Sequence, residues 1–235
     1  MEEGGRRVAT PTPFYLPPRI AAAHAPDKFS SPPTFRRTTS RAPMSTSLVV
    51  RIVFWIWLLG AVAAGNSQSL QRLPPIATPG ILFGLTALLV LAYRAIGAFR
   101  TWVDAIDLRA LLLLHVTRFV GIYFLVLHQR GQLPAAFALP AGFGDIAVAV
   151  LALVVAFFPF ADATRLRATY LWNVIGFVDL LLVVFSAARI VLSGSRELFP
   201  LTQLPLSLLP TFLVPLLLAS HLAIFARLSR ERDAR

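Results

Sequence analysis

The chain has 235 residues, of which 57% are apolar and 14% charged, against roughly 45–50% and about 25% in soluble domains. Its mean hydropathy of +0.71 comes from separate runs of Leu, Val, Ala and Phe, each approaching the roughly 20 residues that cross a bilayer as helix. Such a composition leaves no stretch for a soluble catalytic domain. The lack of cysteine excludes disulfides, thiolate metal sites and thiol catalysis. The formal charge is +11, and every basic residue except Lys28 is an arginine. These arginines are scattered between apolar runs rather than gathered into the patch that nucleic acid requires. They read as topology signals, and no nucleic-acid partner is expected.

Residues 1–47 hold eight of the 18 prolines and seven basic residues, with no apolar period. A segment of this kind buries too little surface to offset its ordering entropy and is expected to be disordered. Met44 stands directly ahead of the first apolar run and is an alternative initiator.

Span 1 covers residues 48–64, carries Trp55 and Trp57, and stops at Gly65-Asn66-Ser67. Because Ala61-Val62-Ala63 resembles a small-residue cleavage site, a cleaved signal that leaves five spans is the alternative. Span 2 covers residues 80–97, where Gly80 and Gly84 form a small-xxx-small step suited to close helix contact. Spans 3, 4, 5 and 6 cover residues 106–127, 139–158, 168–192 and 206–228, and residues 229–235 form a short basic tail. In span 6, Pro215 is expected to bend the helix, while Pro205 and Pro210 near its outer end shape packing only. The fold class is thus an all-α integral membrane protein, a polytopic bundle of six transmembrane helices over residues 48–228, with no internal repeat to signal a transporter of inverted halves.

Cytoplasmic loops carry the excess of Lys and Arg. Eight basic residues precede or open span 1, through Arg51. Arg94, Arg100 and Arg109 follow span 2, Arg165 and Arg167 follow span 4, and Arg227, Arg230, Arg232 and Arg235 close the chain. The opposite loops hold one each, Arg72, Arg130 and Arg196. Both termini are therefore expected in the cytoplasm. The Arg, Ala and Leu bias fits a GC-rich bacterial genome, hence an inner membrane with lipid as the first partner; no oligomeric state is signalled.

Ionisable groups inside a span cost from about 2.5 kcal/mol upward at its centre and usually face the bundle interior with a partner. Span 3 has His115 and Arg118 on one face, span 4 has Asp145, span 5 has Asn173, Asp179 and Arg189, and span 6 has Ser220 and His221. Two arginines and two aspartates balance, which favours pairing. Counting depth at about 1.5 Å per residue puts Arg118 and Asp179 near the midplane, and Asp145 and Arg189 in the outer third. The expected pairs are Arg118 with Asp179 and Arg189 with Asp145, with Arg118 also able to reach Asp145. Gly142, Asp145, Ala149, Ala152 and Ala156 form a small-residue stripe, as do Asn173, Gly176, Leu180, Val183 and Ala187; both suit close helix approach.

This network has two principal readings. It is a lock that specifies one packing of the bundle, or it is a site where Arg118 receives a small polar or anionic solute for binding or transport, with Asp145 or Asp179 as a protonatable partner. A further alternative makes His115 and His221 axial ligands of a b-type haem. Another is an intramembrane enzyme, on the half-signature Phe143-Gly144-Asp145-Ile146. Asp145 and Asp179 at different depths argue against two aspartates sharing a proton, and no HExxH or GxSxG motif is present. A metal site on the two histidines and an aspartate is a last alternative.

Overall fold

A computed structural model describes residues 44–233, so the expectations for the N-terminal segment lie almost wholly outside the described residues. The helices are α1 (Met44–Asn66), α2 (Ala77–Ala95), α3 (Gly97–Asp104), α4 (Leu108–Leu114), α5 (Val120–Gln129), α6 (Ala135–Phe157), α7 (Asp162–Leu192) and α8 (Val214–Asp233). Short 3₁₀ turns lie at Ser69–Arg72, His115–Phe119 and Phe199–Thr202, and a π turn, Leu209–Leu213, leads into α8. No strand occurs among the described residues. Six segments are long and apolar enough to cross a membrane: Thr46–Asn66, Ala77–Ala95, Leu108–Gln129, Ala135–Phe157, Thr164–Leu192 and Leu209–Glu231. At 31 residues, α7 is about 46 Å long at 1.5 Å per residue, well beyond the roughly 30 Å hydrocarbon core, and its extra turns carry Arg165 and Arg167. The final helix continues through Arg230 to Asp233.

Small residues set the helix contacts. A Cβ on Gly121 would lie 2.5 Å from the carbonyl oxygen of Gly142 and 2.9 Å from Cβ of Asp145, so α5 and α6 meet backbone to backbone. All five residues of the predicted α6 stripe are buried. The other predicted step is not a contact: a Cβ on Gly80 or Gly84 would meet nothing within 4 Å, because both glycines sit on an outward face of α2. The spacing of two small residues marks a face without saying that a partner covers it.

Buried apolar residues fall into three groups along the bundle. Leu111, Leu112, Ala152, Trp172 and Ile224 pack at the end where α8 finishes. Leu82, Leu180, Val184 and Leu217 pack near the middle. Phe124, Leu133, Phe137, Leu198 and Leu206 pack at the opposite end. At the α8 end, Asp104 of α3 takes hydrogen bonds from the Tyr93 hydroxyl and from Arg230, both at 2.8 Å, tying α2, α3 and α8 together.

Helix α1 lies at the edge, with Trp55, Ile56 and Leu59 exposed. Its one long-range polar bond among the described residues is specific. Pro215 lacks the N–H that would serve the carbonyl four residues back, that of Thr211, and the Trp57 indole N–H donates to this carbonyl at 2.8 Å.

Candidate functional site

The third span is not a continuous α-helix. It tightens into a 3₁₀ turn over His115–Phe119, and with about three residues per turn this brings His115 and Arg118 onto one side, pointing inward. Both are buried, His115 at 0% and Arg118 at 1% exposure. A break of this kind inside a spanning helix is tolerated where the freed backbone is buried in protein or lines a cavity.

Arg118 joins three helices. Its Nε donates to Oδ1 of Asp145 on α6 at 2.6 Å, its Nη1 donates to the Gly176 carbonyl on α7 at 2.9 Å, and its Nη2 donates to Oδ2 of Asp179, also on α7. Three of the five guanidinium N–H groups are thereby engaged. The Asp145 side chain is 6% exposed and that of Asp179 is 22%. Glycine makes this possible at Asp179, since a Cβ on Gly144 would collide with the Asp179 carboxylate. Each carboxylate has its own N–H donor, so the two acids form an ion-pair triad around Arg118 rather than a pair sharing one proton. Their convergence on one guanidinium also corrects the depth reading that set them apart. Counted rise locates a Cα, and the arginine side chain is long enough to reach carboxylates at both depths, as expected for Arg118 with Asp145.

Arg189 stands apart. It is exposed, it forms no ion pair among the described residues, and the expected pairing of Arg189 with Asp145 is replaced by Arg118 with Asp145. The reason is angular. Nine residues separate Arg189 from the buried Leu180, and at 3.6 residues per turn that places them on roughly opposite sides of α7.

A second polar layer lies beside the triad. Asn173 donates from Nδ2 to the His221 carbonyl at 3.1 Å, and its Oδ1 faces His221 Nδ1 at 2.7 Å. The Ser220 hydroxyl donates to the Leu217 carbonyl at 2.8 Å and sits 2.9 Å from His115 Nε2. A hydroxyl has one proton to give, so His115 Nε2 carries the hydrogen there, and by the same logic His221 carries it on Nδ1. The remaining ring nitrogens, His115 Nδ1 and His221 Nε2, are buried acceptors without a hydrogen-bond partner among the described residues.

The two rings do not fit the haem reading. Their centroids are 4.2 Å apart with planes inclined by 50°, a direct tilted contact, whereas axial ligands oppose each other across a porphyrin that needs the space between. Trp172 closes the same pocket, 4.9 Å from the His115 ring. Among the described residues no three His, Cys, Asp or Glu side chains converge as metal ligands would.

Above the triad opens a cavity of about 680 Å³. Arg118 and Asp145 lie at its inner end. Leu82, Leu180, Val184 and Leu217 supply apolar wall, and Arg72 and Arg196 come from the loops at the end of the bundle away from the α8 terminus. Pro210 and Leu213 of the π turn also line it, so Pro210 does more than shape packing. On the other side of Arg118, the apolar group around Leu111, Ala152 and Ile224 is closed. Sequence reasoning missed the cavity, along with Gln71 and Trp172 as participants. Gln71 lies in a short polar loop with no pattern to mark it, and Trp172 reads as one more aromatic in an apolar run.

Gly144→Ala and Asp179→Asn are each expected to lower stability by about 1.5–3 kcal/mol, the range for a hydrogen bond to a charged group. Reversible unfolding in mixed micelles measures both, and the double variant should be no worse than the poorer single. Additive losses would show that Gly144 does not act through Asp179.

No curated protein and no solved structure matches the chain. Residues 75–229, which contain the whole Arg118 triad, the histidine layer and the cavity lining apart from residues 70–74, but not α1, match the family described as Domain of unknown function (DUF8737), and the chain belongs to that family.

Proposed function

We propose that the protein is a multi-pass membrane protein of six crossings that binds a small molecule of largely apolar body in the cavity above Arg118. The observation that carries this reading is the cavity itself, which leads from the loops to the Arg118–Asp145 pair. A volume of about 680 Å³ lies within the roughly 300–1,000 Å³ typical of small-molecule sites, and apolar walls with a few convergent polar groups are their usual lining. Both irregular helical segments, the 3₁₀ turn and the π turn, contribute to it, as such segments often do at functional sites.

Charge narrows what reaches the floor. One guanidinium faces two carboxylates, so a further anion there would meet excess negative charge in a medium of low dielectric. The group arriving at Arg118 is therefore neutral or positive, able to accept from the uncommitted N–H groups or to donate to Asp145. An anion received by Arg118 itself is the less favoured form of the solute reading.

A cavity open toward one end of the bundle and sealed by packed Leu, Ala and Ile at the other is also one of the two states an alternating-access carrier occupies. The arginine distribution supports an orientation with the α8 end in the cytoplasm, and on this reading the mouth opens to the outer face of a bacterial inner membrane.

The absence of cysteine makes the test direct. Ala187→Cys in the cavity wall is expected to react with a membrane-impermeant thiol reagent added from the outer side of sealed cells, and Ala152→Cys in the closed group to remain unreactive. Labelling of Ala187→Cys no faster than that of Ala152→Cys would overturn the reading.

A further inference from the structure

We propose that the cavity takes a single-chain amphiphile with an anionic headgroup, held at the mouth by Arg72 and Arg196 with its chain running inward along the apolar wall. This rests on the cavity being a binding site, and it adds the class of ligand.

Three observations converge on it. The loops at the end of the bundle that carries the mouth are poor in charge, with Arg72, Arg130 and Arg196 as their basic residues, yet two of these three line the cavity. Both are exposed and neither forms an ion pair among the described residues, so their charge is available to a ligand.

Next to them, Gln71 also lines the cavity, and its side-chain amide nitrogen is buried with no hydrogen-bond partner among the described residues. Buried donors are normally satisfied, and an oxygen-rich headgroup at the mouth supplies the acceptor that this amide lacks. Finally, the polarity of the cavity sets the direction of the ligand. Positive charge stands at the mouth, the wall is built of Leu, Val, Ala and Phe, and the floor presents Arg118 already shared between two carboxylates, Asp145 in the lining and Asp179 outside it. A headgroup bearing negative charge is attracted at the first and repelled at the last.

The test uses the full chain with Ala187→Cys, reconstituted in nanodiscs of phosphatidylcholine, and reads the rate at which a small neutral methanethiosulfonate labels that cysteine. Oleate, oleyl alcohol and oleylamine are compared at pH 8.5. They share a chain length and differ in headgroup charge. Oleate is expected to slow labelling at concentrations at least tenfold below those needed for oleyl alcohol. Combining Arg72→Ala with Arg196→Ala should remove that advantage and leave the alcohol unchanged. Arg130→Ala, at the same end but outside the cavity, should keep it.

Equal protection by all three probes, or stronger protection by oleylamine, would overturn the anionic headgroup while leaving a binding cavity in place. Reactivity of the cysteine with no protection by any probe would overturn the single-chain amphiphile altogether. A cysteine that the reagent cannot reach at all would instead count against the binding cavity.

Discussion

Arg118→Leu is expected to destabilise the protein by about 3–5 kcal/mol, the cost of removing one partner from a buried ion pair and leaving opposite charge uncompensated. Here the loss falls on two carboxylates and a backbone carbonyl together, since Asp145, Asp179 and the Gly176 oxygen all accept from this one side chain. Three helical segments would lose their common tie. A companion variant separates the tie from the binding role. Replacing Arg118, Asp145 and Asp179 together with Leu removes the charges as well as the bonds, and buried ion clusters exchanged for apolar residues of similar volume are often neutral or better. The triple variant is therefore expected within about 2 kcal/mol of the parent in unfolding by mixed micelles. If it regains stability yet loses ligand protection of Ala187→Cys, the triad serves the site as well as the fold. If it regains both, the triad is a packing lock and the cavity works without it.

Gly121→Ala should be the most damaging of the single-methyl additions, at about 3 kcal/mol, the upper part of the usual range for overpacking. The added Cβ would lie 2.5 Å from a carbonyl oxygen of α6, and backbone cannot swing aside as a flexible side chain can. The helices must separate, and separation also strains the contact of Asp145 with Arg118, because Cβ of Asp145 is the next nearest atom at 2.9 Å. Gly84→Ala provides the contrast. With nothing within 4 Å of the new methyl group, only backbone propensity changes, and a gain of about 0.5–1 kcal/mol is expected. Thermal unfolding of the two variants side by side checks both signs. Similar losses for the two would mean that α5 and α6 do not meet as closely as Gly121 and Gly142 require.

Much of the architecture follows from local sequence because lipid is a demanding solvent. Each backbone polar group has to be satisfied within its own helix, so an apolar run of sufficient length is a helix whatever its neighbours do, and all six such segments are found. For the same reason a charge inside a run stands out. Arg118, Asp145, Asp179, His115, Asn173 and His221 can be picked from the sequence by their cost alone, and the fold gathers them into two adjoining layers.

The tertiary structure decided what cost and periodicity leave undetermined. Arg189 carries the same charge in the same span as the residues it was expected to join, but it lies on the opposite side of α7 from Leu180. Gly84 resembles Gly142 in sequence, yet only Gly142 has a helix against it. Gln71 and Trp57 matter through what distant segments bring beside them, the cavity for Gln71 and the Thr211 carbonyl for Trp57. Rise and hydropathy are properties of one helix, whereas azimuth, contact and cavity depend on how several helices are turned toward one another.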